Sequence, residues 1–304
     1  MTSANTQRVR NRVRKTPGEI AFTIFIYIFI TAFTICCLYP FINVIATSFS
    51  SSRAVSSGEV NLIPVEFNLD AYDQLLLDGQ IFRAIKNTII LTVFGTLINL
   101  AATTLAAYTL SKKRLMGRNF FIGMIVFTML FSGGMIPDFI LMKFLNLIDS
   151  YTGLWLQSLI STYNMIVMKT FFEALPVSLE EAASIDGAND ATILFRIILP
   201  LSVPIMATMV LFYAVGWWNS YMGPMLYLSS TAKYPLMLTL KQMLDTAQQI
   251  NIAENSGEGL TQTTIAPETF KAATIVVSTL PIICVYPFLQ KYFVKGVMVG
   301  SVKG

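Results

Sequence analysis

The stretch EEAASIDGANDATILFRIILPLSVP, residues 180–204, differs from the sequence on either side of it. It holds five charged residues, two prolines and a glycine, whereas the flanking sequence contains long runs without any charge. Its helix-breaking residues predict a helix that starts after Pro176, a turn at Gly187 and a second short helix that stops at Pro200. The sequence therefore places a charged helical hairpin, residues 176–200, in an otherwise apolar chain.

The composition of the chain is that of an integral membrane protein. Of its 304 residues, 54% are hydrophobic and 12% are charged, and soluble domains carry about twice that charged share. A helix needs about 20 apolar residues to cross a bilayer. Charge-free runs predict an all-α membrane domain over residues 20–304 with six transmembrane helices, at residues 20–52, 87–111, 119–137, 150–168, 197–232 and 272–290.

The distribution of Lys and Arg predicts the orientation of the chain. Residues 1–19 form a basic segment, and with this segment inside, 14 of the 21 Lys and Arg residues lie in inner segments and seven in outer ones. Cytoplasmic loops carry the excess of basic residues, so we expect both termini to be cytoplasmic. The run RVRNRVRK could bind nucleic acid, but beside a membrane span it is typical of a topology signal, and no nucleic acid is expected.

Residues 233–271 are predicted to be a long polar outer loop, either functional or disordered.

Several kinds of chemistry have no candidate residues. The chain has no histidine and no Gly-rich phosphate loop with Lys-Ser/Thr, so we expect no metal site, no bound cofactor and no enzymatic activity of its own. The predicted spans contain no charged residue, which argues against a proton- or sodium-coupled secondary transporter. That transporter stays the alternative, because carbonyls and hydroxyls can hold sodium. A channel lacks the expected ring of charge.

Local signals specify the ends of the two hairpin helices. Ser178 and Glu181 fit a capping box at the start of the first helix. Gly187 can end that helix in a left-handed conformation. Asn189 or Asp190 can cap the second helix.

The first hairpin helix has a narrow face that could sit in a groove of another protein. Residues three, four and seven apart share a helix face, which here groups Leu179, Ala182, Ala183 and Asp186. The acidic residues able to pair with basic groups at the rim of such a groove are Glu180, Glu181, Asp186 and Asp190. An ordinary solvated helical hairpin is the other interpretation that this spacing allows.

The segment EAASIDGANDATILFRIILP, residues 181–200, resembles the cytoplasmic signature of ABC importer permeases. The matching features are Glu-Ala-Ala, the glycine at the seventh position and Ile-x-Leu-Pro at the end. The resemblance implies the ABC importer permease fold, with this segment as the coupling helix that docks on an ATP-hydrolysing subunit. The residues it assigns to coupling are Glu180, Glu181, Ala182, Ala183, Asp186, Gly187, Ala188, Ile197, Leu199 and Pro200.

Two further segments narrow the resemblance. FSGGMIPDFILMKFLNLIDSYTGL, residues 131–154, is similar to the LplC-type branch of the maltose-type carbohydrate importers. KYFVKGVMVGSVKG, residues 291–304, resembles the cytoplasmic tail of their smaller permease subunit. In that family the tail reaches the nucleotide-binding dimer, which implies contacts by Gly300, Ser301, Val302, Lys303 and Gly304.

The family resemblance implies a set of partners and a location. The chain would be a subunit of an importer of a sugar, oligosaccharide or polysaccharide in the cell membrane of a bacterium. Its partners would be a second related permease subunit, an extracytoplasmic solute-binding protein, and two ATP-binding cassette subunits that bind ATP and Mg²⁺.

The carbohydrate substrate suggests a further set of residues. Sugars are held by aromatic faces and hydrogen-bonding side chains. Aromatic anchoring at the membrane interface explains such clusters more often. The candidates for the substrate pathway are Tyr213, Trp217, Trp218, Asn219 and Tyr221.

Overall fold

The computed structural model describes residues 16–77, 79–255 and 266–301, and within these ranges all regular structure is helical. The all-α prediction is therefore confirmed. A π turn occupies Leu194–Ile198 and a 3₁₀ turn Thr231–Lys233. The α-helices are α1 (Pro17–Ser48), α2 (Ser52–Ser56), α3 (Asp70–Leu77), α4 (Gln80–Ser111), α5 (Arg118–Leu130), α6 (Met135–Phe144), α7 (Tyr151–Gln157), α8 (Thr162–Glu173), α9 (Val177–Ile185), α10 (Asp190–Ile193), α11 (Leu199–Leu201), α12 (Val203–Trp218), α13 (Met222–Tyr227), α14 (Leu236–Asn255) and α15 (Pro267–Ser301).

Helices α1 and α4, each of 32 residues, are long and apolar enough to cross a membrane. Two further helix pairs reach that length only together. They are α5 with α6, bent by 114°, and residues 190–201 with α12, bent by 85°. The part of the chain that the structure describes thus holds two helices that fit a span, or four if each bent pair counts as one. The number of six spans stays a prediction.

Three of the predicted runs, residues 119–137, 150–168 and 197–232, are not single helices. Gly134, with a φ of +91°, lies between α5 and α6. Ser161 starts α8 afresh with its side-chain oxygen as the N-cap. A run without charge meets the hydrophobic requirement of a membrane, but local Gly and Ser residues decide where a helix stops and starts. The expectation of one helix for each run was wrong for these three.

Helix α4 packs against α8 and α12 in the largest apolar cluster of the described residues. Met168 of α8 and Met209 of α12 are fully buried in it. Asn99 of α4 is buried as well: its amide nitrogen donates to the carbonyl of Leu159 at 2.8 Å, and its oxygen accepts from the indole nitrogen of Trp217 at 2.6 Å. Because buried polar groups need hydrogen-bond partners, Asn99 connects α4 to α12 and to the residues before α8.

The predicted outer loop, residues 233–271, contains the 20-residue helix α14. Leu236 and Leu240, one turn apart, are buried against Ile81 at the start of α4. Burial of such a pair stabilises a helix whose second half, DTAQQINIAEN, is largely polar. The loop prediction was therefore wrong over α14, and the ten residues that follow this helix lie outside the described residues.

Helix α1 packs against α15 and leaves most of its apolar side chains exposed. A continuous apolar surface of this kind needs lipid or another protein to cover it. At its start, Thr16 and Glu19 form a capping box, in which the Glu19 carboxylate accepts the Thr16 N–H at 2.9 Å. The helix therefore begins at Pro17, slightly before the predicted span, and the basic residues that precede it lie outside the described residues.

Candidate functional site

The predicted hairpin is present, with two short helices joined by a tight turn. Gly187 follows α9 with a φ of +81°, a left-handed conformation that glycine adopts without strain. The N–H of Ala188 bonds back to the carbonyl of Ala183 at 2.9 Å and closes the turn. Asn189 then caps α10, because its side-chain oxygen accepts the N–H of Thr192 at 2.8 Å. The hairpin and the left-handed glycine match the sequence prediction.

The predicted capping box of Ser178 and Glu181 does not form. Helix α9 begins at Val177, directly after Pro176, and no side chain caps its first turn. The carbonyl of Pro176 accepts the N–H of Leu179 at 3.2 Å, so the first turn is closed by the backbone. Ser178 consequently lies inside the helix and not at the position from which a hydroxyl can cap it. The predicted start after Pro176 is right and the box is wrong.

The second helix continues through a π turn. Pro200 has no N–H to give to the carbonyl of Arg196, four residues earlier. The N–H of Leu199 bonds to the carbonyl of Leu194, five residues earlier, as in a π-helix. The helix ends one residue after Pro200, and the chain bends at Ser202 into α12. The hairpin therefore leads through a fixed bend into a long apolar helix.

The face of α9 that points outward differs from the predicted one. Ala183 is only 9% exposed and packs with Tyr108 and Ile193 in the main core, so the predicted face does not point outward as a unit. Another set with spacing three, four and seven is exposed. We call this set the docking face: Ser178, Glu181, Ala182 and Ile185.

Ile185 is the apolar member of this set that the sequence interpretation did not assign to a contact. Its side chain is 86% exposed, although burying an isoleucine stabilises by about 1.5–3 kcal/mol. An apolar residue at such a position suits a partner that covers it. The available signal was an isoleucine four residues after Glu181, on the same helix face, directly before the turn at Gly187.

Two of the four acidic residues predicted to pair with a partner are paired within the chain. Glu180 forms an ion pair with Lys112, and Asp190 with Arg114. Both basic residues belong to the connection between α4 and α5. Glu181 and Asp186 are exposed, and the described residues offer them no ion pair. The charge that the hairpin presents to a partner is therefore smaller than predicted.

The remaining predicted coupling residues lie around the turn and the second helix. Ala188 is half-buried within the turn. Ile197 and Leu199 are half-buried against the main core, and Pro200 is exposed. Of the predicted tail contacts, Gly300 and Ser301 are the last residues of α15, and residues 302–304 lie outside the described residues. The contacts of all these residues with a partner stay a prediction.

The five residues predicted for a substrate pathway occupy three environments. Tyr213 and Trp217 are buried; the hydroxyl of Tyr213 lies 2.6 Å from that of Thr103 and accepts the N–H of Ser161 at 3.2 Å. Trp218 is half-buried. The exposed members are Asn219 and Tyr221.

The polar atoms of the two buried aromatic residues thus form hydrogen bonds to α4 and to the residue before α8. The sequence interpretation missed two of their partners, Asn99 and Thr103, which are polar residues inside a predicted span. Such residues are typical of helix contacts in membranes. The pathway role of all five residues stays a prediction.

Comparison with known proteins gives the family. Residues 101–299 match the protein family described as "Binding-protein-dependent transport system inner membrane component". The polygalacturonan/rhamnogalacturonan transport system permease protein YtcP of Bacillus subtilis (strain 168) is 46% identical over 93% of this chain and 98% of that protein. Protein LplC of the same strain is 41% identical over 88% of this chain and 90% of that protein.

A solved structure is similar to this chain in both fold and sequence. It is a bacterial ABC transporter involved in the import of the acidic polysaccharide alginate, one chain of which matches with a TM-score of 0.82 and 38% identity, over 92% of this chain and 99% of that one. The resemblance to ABC importer permeases of the LplC-type branch is confirmed. The chain belongs to the family of binding-protein-dependent transport system inner membrane components, the permease subunits of ABC transporters.

Proposed function

We propose that the chain is one of the two membrane subunits of an ATP-driven importer that carries an acidic oligosaccharide or polysaccharide into the cytoplasm. The observation that carries this proposal is the similarity along almost the whole chain to two glycan transporters. One is named for polygalacturonan and rhamnogalacturonan, and the other takes part in the import of the acidic polysaccharide alginate. Acidic glycans are the substrate class that these two names share.

The hairpin would couple this transport to ATP. In the proposed complex an ATPase subunit contacts the docking face, covering Ile185 and meeting the charge of Glu181. Ala183, Ile193 and Ile198 anchor the other side of the hairpin in the core formed by α4, α8 and α12. A push from the ATPase dimer on closure would therefore displace these helices as a packed group, as in other rigid-body transitions.

Membership of the family supports the other proposed components. They would be a second related permease subunit, two ATPase subunits that bind ATP and Mg²⁺, and a solute-binding protein on the outer side. We place both termini in the cytoplasm, so that the tail beyond α15 faces the ATPase subunits. The exposed apolar side chains of α1 and α5 provide surface for lipid and for the second permease subunit.

Reconstituted vesicles test the proposed function. The complex with its ATPase and binding protein is supplied with labelled trigalacturonate, and we expect uptake that requires ATP and persists when ionophores collapse the proton and sodium gradients. The control is the same complex with an ATPase subunit that cannot hydrolyse ATP. Uptake driven by an ion gradient without ATP would instead support the secondary-transporter alternative. Uptake of neutral maltotriose without trigalacturonate would contradict the acidic substrate class.

The docking face has its own test. Ile185→Asp places a charge where an apolar contact is proposed, and we expect at least a tenfold loss of ATPase subunits that co-purify with the permease. Ile63→Asp is the matched control, because Ile63 is also largely exposed but lies in the predicted outer segment between α2 and α3. Equal retention of the ATPase by both variants would show that α9 is not the contact.

A further inference from the structure

The connection between α4 and α5, together with the first residue of α5, forms ion pairs with the hairpin and with the helix that precedes it. We call residues 112–118, with the sequence KKRLMGR, the basic segment. Its ion pairs reach three different helices. They are Lys112 with Glu180 of α9, Arg114 with Asp190 of α10, and Arg118 with Glu173 of α8.

Two of these pairs are well shielded from solvent. The side chain of Lys112 is 14% exposed, and its ammonium group lies 3.9 Å from the centre of the Tyr108 ring. Arg118 also donates through Nε to the carbonyl of Leu110 at 2.8 Å, and Glu173 also receives Lys169 at 3.0 Å. Ion pairs that are shielded and bound into networks are held more firmly than single surface pairs.

The third pair is exposed but bridges a gap. Arg114 and Asp190 lie at the edge of a cavity of about 510 Å³ between the end of α4 and the second hairpin helix. Tyr108 and Leu115 line one side of this cavity, and Phe195 lines the other. Apolar packing between α4 and the second hairpin helix is therefore incomplete on this side, and the charged side chains make the connection there.

Chain connectivity by itself joins the hairpin only to α8 on one side and to α12 on the other. From these contacts we propose that the basic segment fixes the hairpin to α4 and α5, so that the hairpin and these helices move as one body during transport. Lys112 and Arg118 are the main positioning residues. This inference rests on the proposed function, because it concerns the transmission of ATPase closure.

A charge swap tests the inference in the complete transporter. Lys112→Glu or Glu180→Lys alone puts like charges together, and we expect uptake per ATP hydrolysed to fall at least fivefold while ATP hydrolysis continues. The double variant restores an opposite pair, and we expect it to recover to within twofold of the natural chain. Lys113→Glu is the matched control, because Lys113 is exposed in the same segment and forms no ion pair with the described residues.

The possible results separate the two proposals. A natural complex without ATP-driven uptake overturns the proposed function. A natural complex that transports, combined with single variants that stay coupled or a double variant that stays uncoupled, overturns only the positioning role. Membrane levels of all four variants are measured first, and the double variant shows whether the two new side chains are themselves tolerated.

A covalent link tests movement as one body. After replacement of Cys36, Cys37 and Cys284 by Ser, Arg114→Cys and Asp190→Cys are added to the Lys112→Glu variant, which has lost the first pair and should couple poorly. A short bifunctional thiol reagent that joins the two cysteines should restore uptake per ATP at least threefold, and a monofunctional reagent should not. Arrested transport after cross-linking would show that the hairpin slides relative to α4, which contradicts the inference.

Discussion

Gly187 and Gly95 both need to be glycine, for different physical reasons. At Gly187 a Cβ atom would meet nothing within 4 Å. A side chain is unfavourable there only because the backbone φ is +81°. At Gly95 of α4 the backbone is helical, but a Cβ atom would lie 2.5 Å from the indole ring of Trp217. At Gly187 the backbone conformation disfavours other residues, and at Gly95 the close approach of α4 to α12 excludes them.

Gly187→Ala should impair coupling without removing the permease from the membrane. A left-handed alanine costs about 1–2 kcal/mol, which is enough to displace the turn but not to unfold the membrane helices. Gly187→Asn should be milder, because asparagine tolerates this conformation better. Uptake per ATP is the measurement, and Gly58→Ala is the control, since Gly58 has a similar φ of +74° and open surroundings in the predicted outer segment. Equal effects at both sites would contradict a specific role of the hairpin turn.

Gly95→Ala should destabilise the whole permease. The added methyl group must displace Trp217 and strain its 2.6 Å hydrogen bond to Asn99, and overpacking of this kind costs about 1–3 kcal/mol. Thermal unfolding of the purified permease in detergent measures the loss. In Gly123→Ala the new methyl group meets nothing within 4 Å, and this control should be as stable as the natural chain or slightly more so.

At the scale of elements, short-range signals predicted the hairpin well and the spans less well. Pro176, Gly187 and Asn189 act within a few residues of their own position, and the helix ends and turn lie where they indicate. The apolar runs only indicate that a segment is buried in lipid or protein. Whether such a run is one helix or two is decided by local residues such as Gly134 between α5 and α6, which a count of charges does not consider.

Asp149 holds the connection between α6 and α7 to the residues after α13. Its carboxylate accepts hydrogen bonds from the side chain of Lys233 at 2.8 Å and from the hydroxyl of Ser230 at 2.7 Å. These bonds hold the pKa of the Asp149 carboxyl well below its ordinary value of 3.8, and the bond from Lys233 has the largest effect. A carboxylate with a lowered pKa in the folded state stabilises that state above the unfolded pKa, and this contribution disappears as the pH falls towards the folded pKa.

Asp149→Asn should therefore cost stability in a pH-dependent way. We expect a loss of about 1 kcal/mol, because solvent screens this partly exposed pair. The loss should be constant above about pH 5 and shrink as the pH falls below the unfolded pKa. Thermal unfolding of both proteins across this range is the measurement. Asp245→Asn, at an exposed pair with Lys241 one helical turn away, should cost about 0.3–0.5 kcal/mol. A loss at Asp149 that is the same at every pH would contradict this account.

At the scale of the whole molecule, the distribution of basic residues and the fold have to agree. The basic segment forms ion pairs with the hairpin, so both must lie on the same side of the membrane. This contact supports the predicted orientation, in which both are cytoplasmic and the segment between α2 and α3 lies outside.

Cysteine labelling in intact cells tests this orientation. After replacement of the three native cysteines, Ser57→Cys should react with an impermeant maleimide from outside, and Lys113→Cys only after the cells are permeabilised. Both positions are exposed in the structure, so accessibility within the chain does not limit either reaction. Reaction of Lys113→Cys in intact cells would show that the basic segment lies outside and that the predicted topology is wrong.

The sequence by itself determined the class, the family and the hairpin of this protein. Low charge indicated a membrane protein, and the segment from Glu181 to Pro200 indicated an ABC permease, because both signals are local in the chain. The turn at Gly187 could be predicted for the same reason.

The tertiary structure decided how the hairpin is held in place and which of its side chains are exposed. Glu180 and Asp190 are engaged by Lys112 and Arg114, Ala183 is buried and Ile185 is exposed. It also decided that α14 is a helix, through burial of Leu236. Each of these outcomes depends on residues far apart in the chain, and such pairings arise only when the packing of the helices brings them together.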